Sequence, residues 1–297
     1  MNGFLNLLKP PGMTSFDAVS AVRRLLPRKT PVGHGGTLDP DAAGVLPVCI
    51  GKATRLFDYI VDKQKTYIAE LCPGITTDTY DSSGRVTNVS KARLDPRLLE
   101  AALANFTGEI SQLPPVYSAL KFGGEALYKK ARRGEDVKLA PRSVYVEAIS
   151  IRAQEPDGRF LLEIRCGKGT YIRSLVHDIG AYLGCGAHMS FLLRTRSGEF
   201  AIENAFTLDE LKTSDDIENA LVPMDMPLKR YCAAYYSKEL RTSIINGQTL
   251  RPEHIDLPDT AAPQYVRIYA GSEFAGMGEL GADGTVKIKA MLLERQI

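Results

Sequence analysis

Residues 33–40, Gly-His-Gly-Gly-Thr-Leu-Asp-Pro, place one acid and one imidazole in a loop dense in glycine. Gly33, Gly35, Gly36 and, beyond the acid, Gly44 let the backbone approach a ligand closely or adopt positive φ. The carboxylate of Asp39 can attack an electrophilic carbon, abstract a proton, or cap the segment that follows it ahead of Pro40. On the local pattern alone, catalysis and capping are evenly balanced. Asp39 and Asp41 have the Asp-x-Asp spacing of phosphotransferases whose first aspartate attacks phosphorus. That chemistry needs the pair at the end of a buried apolar strand, and here Gly-His-Gly-Gly-Thr precedes it. Gly167-Lys168-Gly169-Thr170 holds phosphate-loop residues without the Gly-x-x-x-x-Gly-Lys-Ser/Thr spacing. Both readings are set aside.

The elements that must position Asp39 follow from periodicity. Phe4 to Leu8 reads as a short strand. Thr14 or Ser15 caps a helix whose Phe16, Val19, Val22 and Leu26 recur at helical spacing, and Pro27 stops it. A basic loop, Arg28 to Gly36, leads to Asp39, followed by the apolar run Val45 to Ile50 and a helix over Ala53 to Val61. Thr66 to Cys72 reads as a strand, and Asp95-Pro96 starts a helix ending near Gly108. Val144 to Arg152 and Arg159 to Arg165 alternate around Glu155-Pro156-Asp157-Gly158, the signature of a hairpin. Thr170 is expected to cap a helix through Leu183, closed by Gly184. Strands and helices mingle without a βαβ beat, which predicts an α+β fold with a mixed, largely antiparallel sheet. After Pro223 and Pro227 a boundary falls around Met226 to Arg230. The remainder reads as one short helix (Ser237 to Asn246) and short strands, including Tyr265 to Tyr269 and Val286 to Ala290.

Bulk properties narrow the function classes. The chain has 297 residues, 44% hydrophobic and 24% charged, ordinary globular values. Its 37 Lys and Arg nearly balance 35 Asp and Glu, so any basic surface must be local. Lys121, Lys129, Lys130, Arg132, Arg133, Lys138 and Arg142, against only Glu125, Glu135 and Asp136, form such a stretch. It suits RNA phosphates or a solvated helix face equally on composition. Five cysteines without a Cys-x-x-Cys pair point to a reducing, cytoplasmic setting. No apolar run reaches the length of a signal core or membrane span, so a soluble, unprocessed chain is expected.

Several motifs in order resemble the TruB type of tRNA pseudouridine synthase. Lys9-Pro10-Pro11-Gly12-Met13-Thr14-Ser15 is similar to that family's Lys-Pro-x-Gly-x-Thr-Ser, and Gly33 to Pro40 to its active-site motif. Further matches are Lys65-Thr66-Tyr67, Thr77-Asp78-Thr79-Tyr80-Asp81, Pro114 to Lys121, Lys168-Gly169-Thr170-Tyr171-Ile172-Arg173, Gly184 to His188 and Phe191-Leu192-Leu193-Arg194. Gly35, where the family often has threonine, and Leu193-Arg194-Thr195, where it often has Arg-Arg-Leu, are departures that remove no chemical group assigned below. The resemblance spans residues 4 to about 200 and turns the balance at Asp39 toward catalysis.

It implies that Asp39 is the catalytic carboxylate of an isomerase converting uridine to pseudouridine. The N1 to C1′ bond breaks, the uracil rotates without release, and C5 rejoins the sugar. Attack at C1′, attack at C6 and removal of a ribose proton all remain open to the acid. The resemblance places Arg173 beside Asp39 to hold its charge, and Tyr67 against the uracil. It puts His34 at the stack vacated by a flipped nucleotide, and Tyr171 and Leu192 in the pocket receiving the base. Lys9 supports the loop or a phosphate. Read singly, Arg173 is a surface arginine, His34 a loop histidine, and Tyr67, Tyr171 and Leu192 core residues.

Reattachment of the same base requires no redox partner, so no cofactor and no metal are expected. The implied substrate is the T-loop uridine of tRNA, conventionally position 55, with no guide RNA, no membrane and a monomeric enzyme. Residues 1–228 form the catalytic domain and 229–297 a smaller β-rich domain that resembles PUA-type RNA-binding modules through Asn246-Gly247-Gln248. The alternative from another class is a non-catalytic tRNA-binding or folding chaperone using the same cleft.

Overall fold

The computed structural model describes residues 1–61, 64–115, 121–122, 125–126, 133, 139–256 and 264–294. Its contacts divide the chain into two units, Met1–Asp39, Val45–Asp62 and Gly198–Ile297 in the first, Pro40–Gly44 and Lys63–Ser197 in the second. Strands are mixed and mostly antiparallel, giving the expected α+β class.

The second unit is built on one antiparallel run of strands in the order Ala187–Ser197, Lys65–Pro73, Phe160–Cys166, Arg142–Gln154 and Gly108–Gln112. Tyr67, Ala69 and Leu71 lie directly opposite Ile164, Leu162 and Phe160, so six apolar side chains cover one face and all six are buried. Directly opposed pairs of this kind are what fixes strand register. The helix Ile172–Tyr182 buries Leu175, Val176 and Ile179. The expected hairpin is present but longer than predicted, its first strand running Arg142–Gln154.

The expected cap on the helix Ile172–Tyr182 is corrected. The N-cap is Tyr171, whose side chain does not cap the helix, and the Thr170 hydroxyl turns back to donate to the Gly167 carbonyl at 3.2 Å. A distant residue takes over the capping task. The buried Gln112 accepts from the Tyr171 N–H at 2.8 Å and donates to its carbonyl at 3.0 Å. The helix start is therefore fixed by the sheet, not by its own local sequence.

In the first unit the strand order is Leu221–Val222, Gly3–Lys9 and then the strand Ala43–Ile50 from Val45 onward, with Val32–His34 pairing antiparallel to the last. The apolar run Val45–Ile50 is buried on both faces. Leu46, Val48 and Ile50 pack with Leu5, Leu7, Val19 and Val22, while Val45 and Cys49 pack with Phe4, Leu56 and Phe200. A strand enclosed on both sides reads as a continuous apolar run, and each large side chain so buried contributes about 1.5–3 kcal/mol. The helix Ser15–Arg24 begins with a full capping box, the Thr14 hydroxyl accepting from the Asp17 N–H and the Asp17 carboxylate from the Thr14 N–H.

The helix expected over Ala53 to Val61 is split, with a 3-10 turn at Gly51–Leu56 and a short α-helix at Phe57–Val61. The Thr54 hydroxyl donates to the Gly51 carbonyl three residues back, supporting the tighter winding. From Cys232 onward a five-stranded sheet forms, in the order His254–Ile255, Cys232–Tyr236, Tyr265–Ala270, Glu273–Leu280, Val286–Met291. It has its own apolar cluster around Tyr236, Ile244, Val266 and Ile268. Among the described residues no helix is long and apolar enough to cross a membrane.

Five residues beyond Asp39, Gly44 pairs in parallel with Arg194 within the second unit. Its φ of +118° lies in glycine territory, and a Cβ there would run into the Arg194 backbone nitrogen, carbon and oxygen. Gly44→Ala therefore combines left-handed strain with a backbone clash. It is expected to cost more than about 2 kcal/mol, measured as a drop in urea midpoint at unchanged m-value.

Candidate active site

Asp39 is half-buried and ends the first unit, one peptide bond before Pro40 opens the second. The backbone just ahead of it is held by Ser15. The Ser15 hydroxyl donates to the Leu38 carbonyl at 3.0 Å and accepts from the Leu38 N–H at 2.9 Å, and Ser15 and Leu38 are both buried. One side chain thus satisfies both polar groups of the residue preceding the acid. At the other end of the loop, the Gly35 N–H donates to the Pro47 carbonyl at 2.7 Å.

Ser15 is itself placed by the turn that Lys9 organises. Lys9 is fully buried, and its ammonium donates to the carbonyls of Pro10 at 2.8 Å and Met13 at 2.7 Å. A buried ammonium needs such acceptors, since its three N–H donors are costly to leave unmade. The turn delivers Thr14 to its capping box and Ser15 to the first position of the helix. His34 ends the strand Val32–His34 opposite Val48 and is half-buried.

The second unit gathers Tyr67, Leu192 and Arg194 at adjoining positions. On the strand Lys65–Pro73, Tyr67 faces Arg194 and Ala69 faces Leu192 across the antiparallel pair, and all four are buried. Arg194 is fully buried, an uncommon place for a guanidinium. Tyr171 is half-buried, with its backbone bracketed by Gln112.

Arg173 sits in the first turn of the helix Ile172–Tyr182 with 5% of its surface exposed. Its Nη1 lies 3.2 Å from Asp81 Oδ2 and donates to the Thr79 carbonyl at 3.3 Å. The other Asp81 oxygen accepts from Thr79 Oγ1 at 2.7 Å, Ser83 N at 3.0 Å and Ser83 Oγ at 2.6 Å. A carboxylate held by three local donors is a rigid partner, so it fixes both the charge and the direction of the guanidinium. One turn along the same helix face, the His177 ring stacks on Tyr80 at 3.9 Å and 18°. Tyr80 occupies the left-handed region at φ 65°. Thus the turn Thr79–Asp81 is clamped to the helix twice, by charge at position 173 and by ring stacking at position 177.

Burial shifts the groups around this clamp. The His177 imidazole is pushed down by loss of water. The Tyr80 phenol is pushed up by burial and by the nearby Asp178 charge, and the Asp178 carboxyl is pushed up to about 6 by burial. Among the described residues no group of His, Cys, Asp and Glu has the arrangement of a metal site.

Two contributors, Asp81 and Arg194, stood in quoted motifs without a role, and Ser15, expected only as an alternative helix cap to Thr14, instead holds Leu38. Their signal was the motif alone, because each acts on a partner that local sequence does not identify. Of the basic stretch Lys121 to Arg142, only Arg133 and Arg142 have described side chains, both exposed. Lys129, Lys130, Arg132 and Lys138 lie outside the described residues, as does most of the motif from Pro114 to Lys121.

Residues 23–172 match the family described as TruB family pseudouridylate synthase (N terminal domain), and residues 173–229 match the tRNA pseudouridylate synthase B C-terminal domain. The chain is 41% identical over 304 residues to tRNA pseudouridine synthase B of Alkaliphilus oremlandii, covering 100% of both chains. It is 42% identical over 305 residues to the same enzyme of Clostridioides difficile, covering 98% of each. In structure it resembles a chain of an H/ACA RNP bound to a substrate RNA containing 2′-deoxyuridine, with a TM-score of 0.75 and 25% identity over 99% of this chain and 86% of that one. It also resembles a chain of a Cbf5-Nop10-Gar1 complex, with a TM-score of 0.73 and 27% identity over 99% and 84%.

Two measurements check this geometry. Ser15→Ala leaves the Leu38 N–H without its acceptor, a loss of about 1–3 kcal/mol, so deuterium uptake at Leu38 is expected to rise about fivefold or more. Asp178→Asn tests the raised carboxyl. A folded-state value near 6, above the unfolded carboxylate range, means the folded state is penalised once pH exceeds that range, fully so above 6. The variant should melt about 2 °C higher than the parent at pH 7.5, a modest gain because the group is part-exposed. It should show no gain at pH 4.

Proposed function

The chain belongs to the TruB family of tRNA pseudouridine synthases, isomerases of tRNA uridine, and we propose that it acts on the T-loop uridine at position 55 with Asp39 as its catalytic carboxylate. The observation that carries the proposal is the reciprocal pair of hydrogen bonds by which Ser15 fixes Leu38, the residue before Asp39. A carboxylate that must meet one atom of a nucleotide needs its backbone held in this way. Asp39 is read here as a nucleophile at C1′ or C6, with removal of a ribose proton as the remaining route. Each route starts from the ionised acid, breaks the N1 to C1′ bond and forms the C5 to C1′ bond; the proton lost from C5 to solvent is balanced by one taken up at N1.

In this reading the target nucleotide leaves the stack to reach the acid. His34 occupies the gap it leaves, and Tyr67 lies against the uracil with its hydroxyl near the C5 proton. Tyr171 and Leu192 border the base. Arg173, oriented by Asp81, adds a positive charge that favours the ionised form of Asp39. Lys9 acts through the turn it supports. Residues 1–228 carry the chemistry, and 229–297 form a PUA-like module that contacts RNA. The enzyme works as a monomer without guide RNA.

The test is tritium release from a tRNA transcript labelled at C5 of uridine. Wild type releases tritium, and a transcript with cytidine in place of the T-loop uridine releases none. Asp39→Asn is expected to release at least about 10³-fold more slowly, some 4 kcal/mol of barrier, while binding the transcript normally. Release by Asp39→Asn at the wild-type rate overturns the assignment of the acid. Release from the cytidine-bearing transcript overturns the assignment of the site.

A further inference from the structure

The first unit holds a cavity of about 500 Å³ that no step above uses, lined by Arg23, Lys29, Thr30, Gly33, Thr54 and Phe57 among others. Its described lining includes two cations, two hydroxyls and no carboxylate. Phe57 is 39% exposed, and the Arg23 guanidinium is held in place by donating to the Val32 carbonyl at 2.9 Å. Lys29 has φ 71°, a left-handed conformation that costs a non-glycine residue about 1–2 kcal/mol. Strain of this size at a ligand-facing cation is a feature of binding sites. At Gly33 a Cβ would meet nothing within 4 Å, so that part of the wall is open space.

Two cations, of which Arg23 is tethered to the Val32 carbonyl, beside an exposed aromatic side chain suit a ligand with a phosphate at one end and a flat ring at the other. The volume lies in the range of small-molecule sites, and single-stranded RNA is commonly bound by phosphate pairing plus base stacking. Gly33 lines the cavity and His34 is the next residue of the strand Val32–His34, about 3.3 Å further along and pointing to the opposite side. We infer that this cavity receives a nucleotide of the RNA close to the target uridine, its phosphate between Arg23 and Lys29 and its base against Phe57. The inference rests on the proposed function for the identity of the RNA and for the role of His34.

Two variants at exposed positions test it. Lys29→Asn keeps a residue tolerant of positive φ while removing the charge, and Phe57→Leu keeps an apolar side chain while removing the ring face. Binding of a T-arm stem-loop transcript is measured across salt concentrations, with melting temperatures as the check on folding. Lys29→Asn is expected to weaken binding about fivefold or more and to reduce the slope of log K against log salt by about 0.7. Phe57→Leu should weaken it about fivefold or more with the slope unchanged, and in turnover both losses fall on KM. Uridine 5′-monophosphate is the free-nucleotide probe. Its displacement by the stem-loop from wild type supports the RNA assignment, and its binding undisturbed by saturating stem-loop overturns it.

Tritium release by wild type separates this inference from the one it rests on. An active wild type whose two variants bind RNA with unchanged affinity and slope overturns the cavity assignment alone. An inactive wild type in which both variants still weaken RNA binding overturns the proposed chemistry and leaves the cavity standing.

Discussion

A carboxylate in a glycine-rich loop performs directed chemistry only if the backbone beside it cannot wander, and here that constraint is met by one buried hydroxyl. Ser15 satisfies the N–H and the carbonyl of Leu38 together, an arrangement that would leave two buried polar groups unpaired if the helix start moved. The helix cannot move freely, because Val19 and Val22 are packed against Leu46, Val48 and Ile50. Its N-terminus is also locked by the Thr14–Asp17 capping box and by the turn that Lys9 binds from below. Hydrophobic burial thus sets where the helix lies, and hydrogen bonds convert that placement into a defined position for Asp39.

The second unit solves a different problem, the burial of guanidinium. Arg173 at 5% exposure requires a charged partner, since an unpaired cation at that depth costs several kcal/mol. Asp81 supplies the charge and is itself held by Thr79 and Ser83, while the Tyr80–His177 stack fixes the same turn to the same helix face. The clamp carries some cost. Tyr80 is left-handed, and Asp178 next to His177 resists ionisation because it is part-buried. Unfavourable local terms of this kind persist where surrounding contacts over-determine the geometry.

Much of this was legible from residue order. Thr14 as a cap, Asp95 as the cap before Pro96, the hairpin around Asp157-Gly158 and the apolar run Val45–Ile50 follow from rules that act over a few residues. The motifs around Asp39 and Arg173 were equally visible, and with them the family and the class of reaction. Thr170 shows where such rules fail. It has the residue type and position of a cap, yet its hydroxyl donates to Gly167, and Gln112, 59 residues from Tyr171, brackets the helix start instead. The split of Ala53 to Val61 into two kinds of helix has the same character, a local hydroxyl bond at Thr54 favouring the tighter turn.

Sequence alone therefore determined the chemical groups, the α+β class and the family, because side-chain type, short-range capping and apolar period are properties of neighbouring residues. Tertiary structure decided which of those groups meet. Ser15 finds Leu38 23 residues away, Asp81 finds Arg173 across more than ninety residues of chain, and Arg194 is buried opposite Tyr67. A serine hydroxyl or a carboxylate carries no record of its distant partner. Only the packing of strands and helices, which brings remote backbone polar groups out of water and demands that each be satisfied, selects one partner from the many the chemistry would allow.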